Sequence, residues 1–260
     1  MKGTFKRVEK KYLLTEEQYT DFMNRIRSYL TADEFGVYTI CNIYLDTDNH
    51  ELIRRSMEKP VYKEKLRLRS YGVPNEEDRV FLEIKKKYRG IVYKRRVEMP
   101  LKDAMAYITK GIYPQEYDCQ ILREIDYMIG FYDLKPRLYL AYDRQAFYIT
   151  NQPEIRFTVD RKIRSREENL ELSKGDEGQL LFGTDMRLIE IKAPVALPEW
   201  FVTILSELQI YPNSFSKYGR IYQNSRPAGG INHAAVLDLE NDAMRAEDYL
   251  EVHDVYQYFE

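Results

Sequence analysis

Residues 63–72 read KEKLRLRSYG, and in an extended chain Lys65, Arg67 and Arg69 point one way while Leu66 and Leu68 point the other. The alternation recurs. Arg7, Glu9 and Lys11 share a parity, as do Glu83, Lys85 and Lys87, then Lys94, Arg96 and Glu98, then Arg156, Thr158 and Asp160. Leu82, Ile84, Ile155, Phe157 and Val159 occupy the opposite parities, and late in the chain Arg187, Ile189 and Ile191 alternate with Leu188, Glu190 and Lys192. A period of two over so many segments demands strands with one apolar and one charged face. Amphipathic helices can cover the apolar face. The charged face must meet water or a ligand.

Between the strands the helical signals are clear. Thr15 is placed to cap a helix over residues 15–30, with acids in its first turn and basic residues later. YTICNIYLDT reads as a buried strand and DNHELIRRSM as a short helix. KEKLRLRSYG, VFLEIKKKY and IVYKRRVEM form an antiparallel meander with a turn at Arg89-Gly90. LKDAMAYITKG, YDCQILREIDYMIGFY and PEWFVTILSELQI are predicted helices; PRLYLAYDRQAFYI, EIRFTVDRKIRS and MRLIEIKAP are predicted strands. NSFSKYGR carries no assigned element. From 237 to 260 there are eight acids and one basic residue, so a domain over 1–226 is expected to be followed by an acidic C-terminal extension, 227–260.

Charge decides which partners suit such a chain. Lys and Arg number 40 against 42 Asp and Glu, a net charge of −2, which excludes a generally basic, nucleic-acid-coating protein. Any basic surface must be local. Cys41 and Cys119 lack metal-ligand spacing and read as reduced thiols of a cytoplasmic protein. The N-terminus lacks the apolar core of a signal peptide, and no run approaches the ~20 apolar residues of a membrane span. There is no GxxxxGK[ST] phosphate loop, and His50, His233 and His253 are isolated. Two arrangements satisfy the periodicity: an antiparallel sheet with a solvated outer face, or a barrel whose charged face surrounds a multivalent anion. Like charges crowded on one face repel, so removing Arg67 and Arg69 is expected to relieve strain in an anion-free protein.

RVEKKY, KLRLRSYG, FLEIKKKYRGIVYKRR, YDRQAF, IRFTVD, LIEIK and SFSKYG occur in that order. This series resembles the VTC-type polyphosphate polymerase domain of the triphosphate tunnel metalloenzyme (CYTH-like) superfamily, over about residues 4–224. The resemblance implies an α+β fold, an antiparallel β-barrel forming a triphosphate tunnel with amphipathic helices packed outside. It implies catalytic phosphate ligands at Lys11, Arg67, Arg69, Lys85, Arg144, Arg156 and Lys217, and further substrate contacts at Lys94, Arg96, Tyr142, Lys192 and Ser216. Glu190 matches the metal-binding glutamate, with Glu9 a second acidic ligand for Mn²⁺ or Mg²⁺. Tyr142 suits either a hydroxyl donor to phosphate or a packing side chain. The wider superfamily carries ExExK in the first strand, whereas Arg7 stands two before Glu9 here, a departure that argues against a carboxylate-rich hydrolase site.

The implied reaction is transfer of phosphoryl groups from ATP to a growing polyphosphate chain, in a cytoplasmic enzyme that binds no nucleic acid and has no membrane span. A triphosphatase of the same superfamily and a polyphosphate-binding module without turnover are the competing expectations. Oligomeric state is not read from the sequence.

Overall fold

The computed structural model describes residues 8–225. The acidic extension expected at 227–260 lies outside them, as does Arg7. In chain order the elements are β1 (Val8–Thr15), α1 (Glu16–Ile26), β2 (Leu30–Asp46), α2 (Glu51–Met57), β3 (Tyr62–Tyr71), β4 (Arg79–Tyr88), β5 (Ile91–Pro100), α3 (Leu101–Lys110), α4 (Gln120–Tyr132), β6 (Lys135–Ile149), β7 (Gln152–Arg166), the two-residue β8 (Gln179–Leu180), β9 (Met186–Ala193), α5 (Glu199–Glu207) and α6 (Lys217–Asn224). The strands form one antiparallel sheet in the order β1-β9-β7-β6-β2-β3-β4-β5, with β8 beside β7.

Local chemistry sets several boundaries. Thr15 caps α1 through a reciprocal pair: its hydroxyl accepts from the Gln18 amide, and the Gln18 side chain accepts from the Thr15 amide, each at 3.2 Å. Such a cap contributes about 1 kcal/mol. The helix ends at Ile26 rather than continuing to residue 30, because a 3-10 turn at Arg27–Tyr29 leads straight into β2. That strand starts earlier than YTICNIYLDT, and its register against β6 shifts between Ala32 and Val37, around the positive φ of Gly36.

The apolar parities are buried as their periodicity requires. Leu66, Leu68, Leu82 and Ile84 pack under α3 and α4 with Leu101, Ala104, Leu122, Ile125 and Met128. Tyr12, Leu14, Ile155, Phe157, Val159, Ile189 and Ile191 pack under α1 and α5 with Phe22, Ile26, Phe201 and Leu205. These helices lie on the outer face of the sheet.

The opposite face is concave. β1 and β3 stand five ladder steps apart, about 24 Å across a flat sheet. Yet Lys11 Nζ of β1 donates to the Phe215 carbonyl at 3.1 Å, and Lys65 Nζ of β3 donates to Ser216 Oγ at 3.2 Å. Adjacent residues reach both strands only if the sheet curls. The ladder does not close, however: among the described residues β1 and β5 remain unpaired edges. The barrel expected from the resemblance is therefore a curled, open sheet. Both edge strands carry cations, Lys10 and Lys11 on β1 and Lys94, Arg95 and Arg96 on β5, and charges on edge strands oppose pairing.

A second departure concerns the helices. α6, within the unassigned NSFSKYGR region, packs inside rather than outside. Its Tyr218, Ile221 and Tyr222 join Phe215 in an apolar cluster with Ile40, Leu138, Leu140, Tyr142 and Leu188. Tyr218 Oη donates to Asp46 Oδ2 at 3.0 Å and pins the helix there. Both cysteines are free thiols. No helix among the described residues is long and apolar enough to cross a membrane.

Candidate functional site

Register alone puts the charged residues on one face. Lys11 pairs with Glu190, Glu9 with Lys192, and Lys192 with Arg156. Asp160 stands opposite Arg144, Tyr44 opposite Arg67, Asn42 opposite Arg69, Arg67 opposite Glu83, and Lys85 between Lys65 and Lys94. Directly opposed residues share a face, so every candidate on these strands lines the concavity. Lys217 and Ser216 reach it from the start of α6.

Two buried carboxylates organise the cations. Glu83, 1% exposed, receives Arg67 Nε and Nη2 on Oε2 at 2.8 and 2.7 Å and Lys94 Nζ on Oε1 at 2.7 Å, with Arg69 Nε 3.7 Å away. Burial alone would raise this carboxyl, but Arg67, Arg69 and Lys94 hold it down at about 2. Arg69 also donates to Asn42 Oδ1 at 3.1 Å. Asp160, fully buried, accepts from Arg144 Nε and Nη2 at 2.6 and 2.8 Å and from Lys217 Nζ at 2.5 Å. Its burial is overcome by Lys217 and Arg144, which lower its pKa.

Sequence reasoning left Glu83 and Asp160 out of the site, together with Lys65, Tyr44 and Asn42. For Glu83 and Asp160 the signal was present, since both sit on the charged parity of their strands. What parity could not give was the partner across the ladder.

Several cations remain less compensated. Lys65 is pushed down to about 8 by burial and by Lys85, Lys63 and Lys11, against an opposing pull from Tyr44. Lys85 is lowered too, by burial first; Glu9 and Glu190 oppose that shift, while Lys11 and Arg67 add to it. These influences on a β4 residue come partly from β1 and β9 and show how far the sheet has curled. Tyr44 is lowered to about 8: burial raises it, and Arg67, Lys65 and Arg69 outweigh the burial. Arg156 and Arg96 stand exposed on the same face. Tyr142 is buried, and its ring carries Lys217 Nζ 4.3 Å and the Arg144 guanidinium 5.1 Å from its centroid. Packing and charge support are its visible contacts.

The acidic end of the face lies at β1 and β9. Glu190 pairs with Lys192, and Glu9 with Lys11 at 3.2 Å. Burial would raise Glu190, but Lys192, Lys11 and Lys217 hold it far below the usual carboxylate range. Both are hard oxygen donors suited to Mg²⁺ or Mn²⁺, which take one or two carboxylates and fill the rest of the shell with phosphate and water. No group of three or more His, Cys, Asp or Glu among the described residues could hold a metal alone. The donor set thus fits an ion shared with a phosphate ligand.

A sequence model of the VTC domain family matches residues 6–225. The chain belongs to the VTC domain family. Among solved structures, a proposed adenylate cyclase from Bacillus halodurans is similar with a TM-score of 0.50 and 16% identity, covering 81% of this chain and 95% of that one. That likeness shows the shared fold. A proposed adenylate cyclase from Vibrio parahaemolyticus (TM-score 0.45, 12% identity, 85% and 99% covered) and the Mimivirus capping enzyme triphosphatase (0.32, 10%, 78% and 87%) match more loosely. No curated protein sequence matches the chain.

Proposed function

We propose that the concave face binds a linear chain of phosphates and that the protein transfers phosphoryl groups from ATP to a growing inorganic polyphosphate in the cytoplasm. One observation carries this reading. Cations from β1, β3, β4, β5, β6 and β7 share a single concave face, and burial together with Lys85, Lys63 and Lys11 drives Lys65 down to about 8. A multivalent anion is the ligand that relieves such a potential.

In this reading Arg67, Arg69, Arg144 and Arg156 grip phosphate oxygens through planar, paired donors, while Lys11, Lys65, Lys85, Lys94, Lys192 and Lys217 act as compact charges. Glu83 and Asp160 do not touch the ligand. They hold the arginines at fixed angles, so that alignment is already made when phosphate arrives. Phosphoryl transfer needs little beyond alignment and neutralisation of the oxygens. A divalent ion held by Glu190, with Glu9 beside it, would supply further neutralisation of the transferring group. Polymer growth rather than hydrolysis is favoured by the first strand, where Arg7 replaces a carboxylate, and by the engagement of Glu83 and Asp160 with cations.

Incubation with ATP and Mn²⁺ tests the proposal. ADP with long phosphate chains is the expected product. ADP with free phosphate, or AMP with pyrophosphate, would make the protein a hydrolase, and tight polyphosphate binding without turnover would make it a binding module.

A further inference from the structure

The row of cations on β3 ends in an aromatic residue. Going along the concave parity, Lys65, Arg67 and Arg69 are followed by Tyr71, whose ring is 53% exposed. On the neighbouring strands Tyr71 stands opposite Ile40, two residues from Tyr38, and Phe81 stands opposite Arg69. Three aromatic side chains therefore gather at one end of the phosphate-binding face. They form a connected set: Tyr38 to Tyr71 at 6.0 Å between centroids and 58° between planes, and Tyr71 to Phe81 at 5.8 Å and 76°. The Arg96 guanidinium lies 4.3 Å from the centroid of the Phe81 ring. Phe35, 69% exposed, meets Tyr38 edge-on at 6.3 Å.

The backbone holds this end in place. Gly72, at φ 76°, donates to the Thr39 carbonyl at 2.8 Å, and Ser70 Oγ donates to the Gly72 carbonyl at 2.8 Å, fixing the residues on both sides of Tyr71. The register shift in β2 between Ala32 and Val37 turns the chain beside Phe35, as bulges do when they re-aim a side chain. α6 packs near the other end of β2, where Tyr44 meets Tyr218 at 5.0 Å.

We infer that Tyr71, with Tyr38, Phe81 and Arg96, forms a shelf on which the base of a nucleoside triphosphate stacks while its phosphates lie on Arg69, Arg67 and Lys65. This rests on the proposed triphosphate binding and adds the nucleoside end to it. Same-face positions on a strand are about 6.8 Å apart, so Tyr71 to Lys65 spans roughly 20 Å, a length that suits base, sugar and phosphates laid end to end. An aromatic shelf gives stacking without reading base edges, because every base has a π-face. The shelf accordingly accepts adenine and guanine alike, and inorganic chains use the cations without it.

Isothermal titration without divalent metal, where no turnover occurs, separates the two ends of the ligand. Tyr71→Ala is expected to weaken ATP about 5- to 150-fold, the range of lost base stacking, and to leave tripolyphosphate affinity unchanged. Tyr71→Phe, which keeps the ring, should bind both ligands as the wild type does. Equal loss for ATP and tripolyphosphate in Tyr71→Ala, or no loss for either, would overturn the shelf while leaving the phosphate site standing. Failure of the wild type to bind tripolyphosphate would bring down the phosphate site and the shelf with it.

Discussion

Glu83→Gln preserves shape and removes one buried charge from among three cations. The carboxyl moves from its ordinary 4.5 to about 2 in the folded protein. At about 1.4 kcal/mol for each tenfold change, that corresponds to roughly 3 kcal/mol of stabilisation in the ionised form. Because the folded value is the lower one, this stabilisation is complete above about pH 4.5 and is lost as pH falls toward 2. In a domain of this size 1 kcal/mol shifts Tm by about 2–4 °C, so the variant should melt about 6–12 °C below wild type at pH 7 in phosphate-free buffer. Tripolyphosphate supplies the missing negative charge. It should bind the variant more tightly than the wild type and return most of the lost Tm by mass action. Thermal denaturation from pH 7 to pH 3, with and without tripolyphosphate, checks both halves. The gap between the proteins should narrow as the pH falls. Equal melting temperatures at pH 7 without the anion would refute the claim that Glu83 is the resident counter-ion of Arg67, Arg69 and Lys94.

Arg67→Ala with Arg69→Ala should abolish tripolyphosphate binding in titration and also lower stability in urea, by less than the roughly 3 to 5 kcal/mol of an unpaired buried charge because Lys94 still meets Glu83. Relief of repulsion, expected from parity alone, is thereby reversed by Glu83. Lys65, depressed to about 8, penalises the fold fully below pH 8, and the penalty fades as pH rises toward 10.5. Tripolyphosphate should raise that value again, so binding at pH 8 is expected to take up about half a proton. Calorimetry in buffers of different ionisation enthalpy should show the uptake, and Lys65→Met should diminish it. Glu190→Gln should leave metal-free tripolyphosphate binding intact while raising the Mn²⁺ concentration needed for ATP turnover at least tenfold; wild-type turnover at limiting Mn²⁺ would remove Glu190 from the metal role.

The strands were legible because the side-chain period of two is a local property: Leu66 and Leu68, or Ile155, Phe157 and Val159, declare their face without any partner. The Thr15 cap was legible for the same reason, since both halves of its hydrogen-bonded pair lie within four residues. α6 was not. Its eight residues offer only Tyr218, Ile221 and Tyr222 as an apolar stripe, behind a polar, proline-containing run, and its helicity depends on the concave face it packs against. The early start of β2 was hidden by the irregular register around Gly36.

The least legible feature was the identity of the counter-charges, because register is set by turns and bulges, and a slip of one residue would send every side chain to the other face. Arg67 meets Glu83 only because β3 and β4 pair as they do, and Arg144 meets Asp160 only past the irregularity between Ala141 and Asp143. A charged parity therefore announces a cationic face but not its net potential. On this face the carboxylates that reduce the potential are among the most deeply buried polar groups: Glu83 and Asp160 are 1% and 0% exposed. Their burial commits them to the cations, leaving Lys65, Lys85 and Arg156 turned toward the concavity with the charge that a phosphate chain would neutralise.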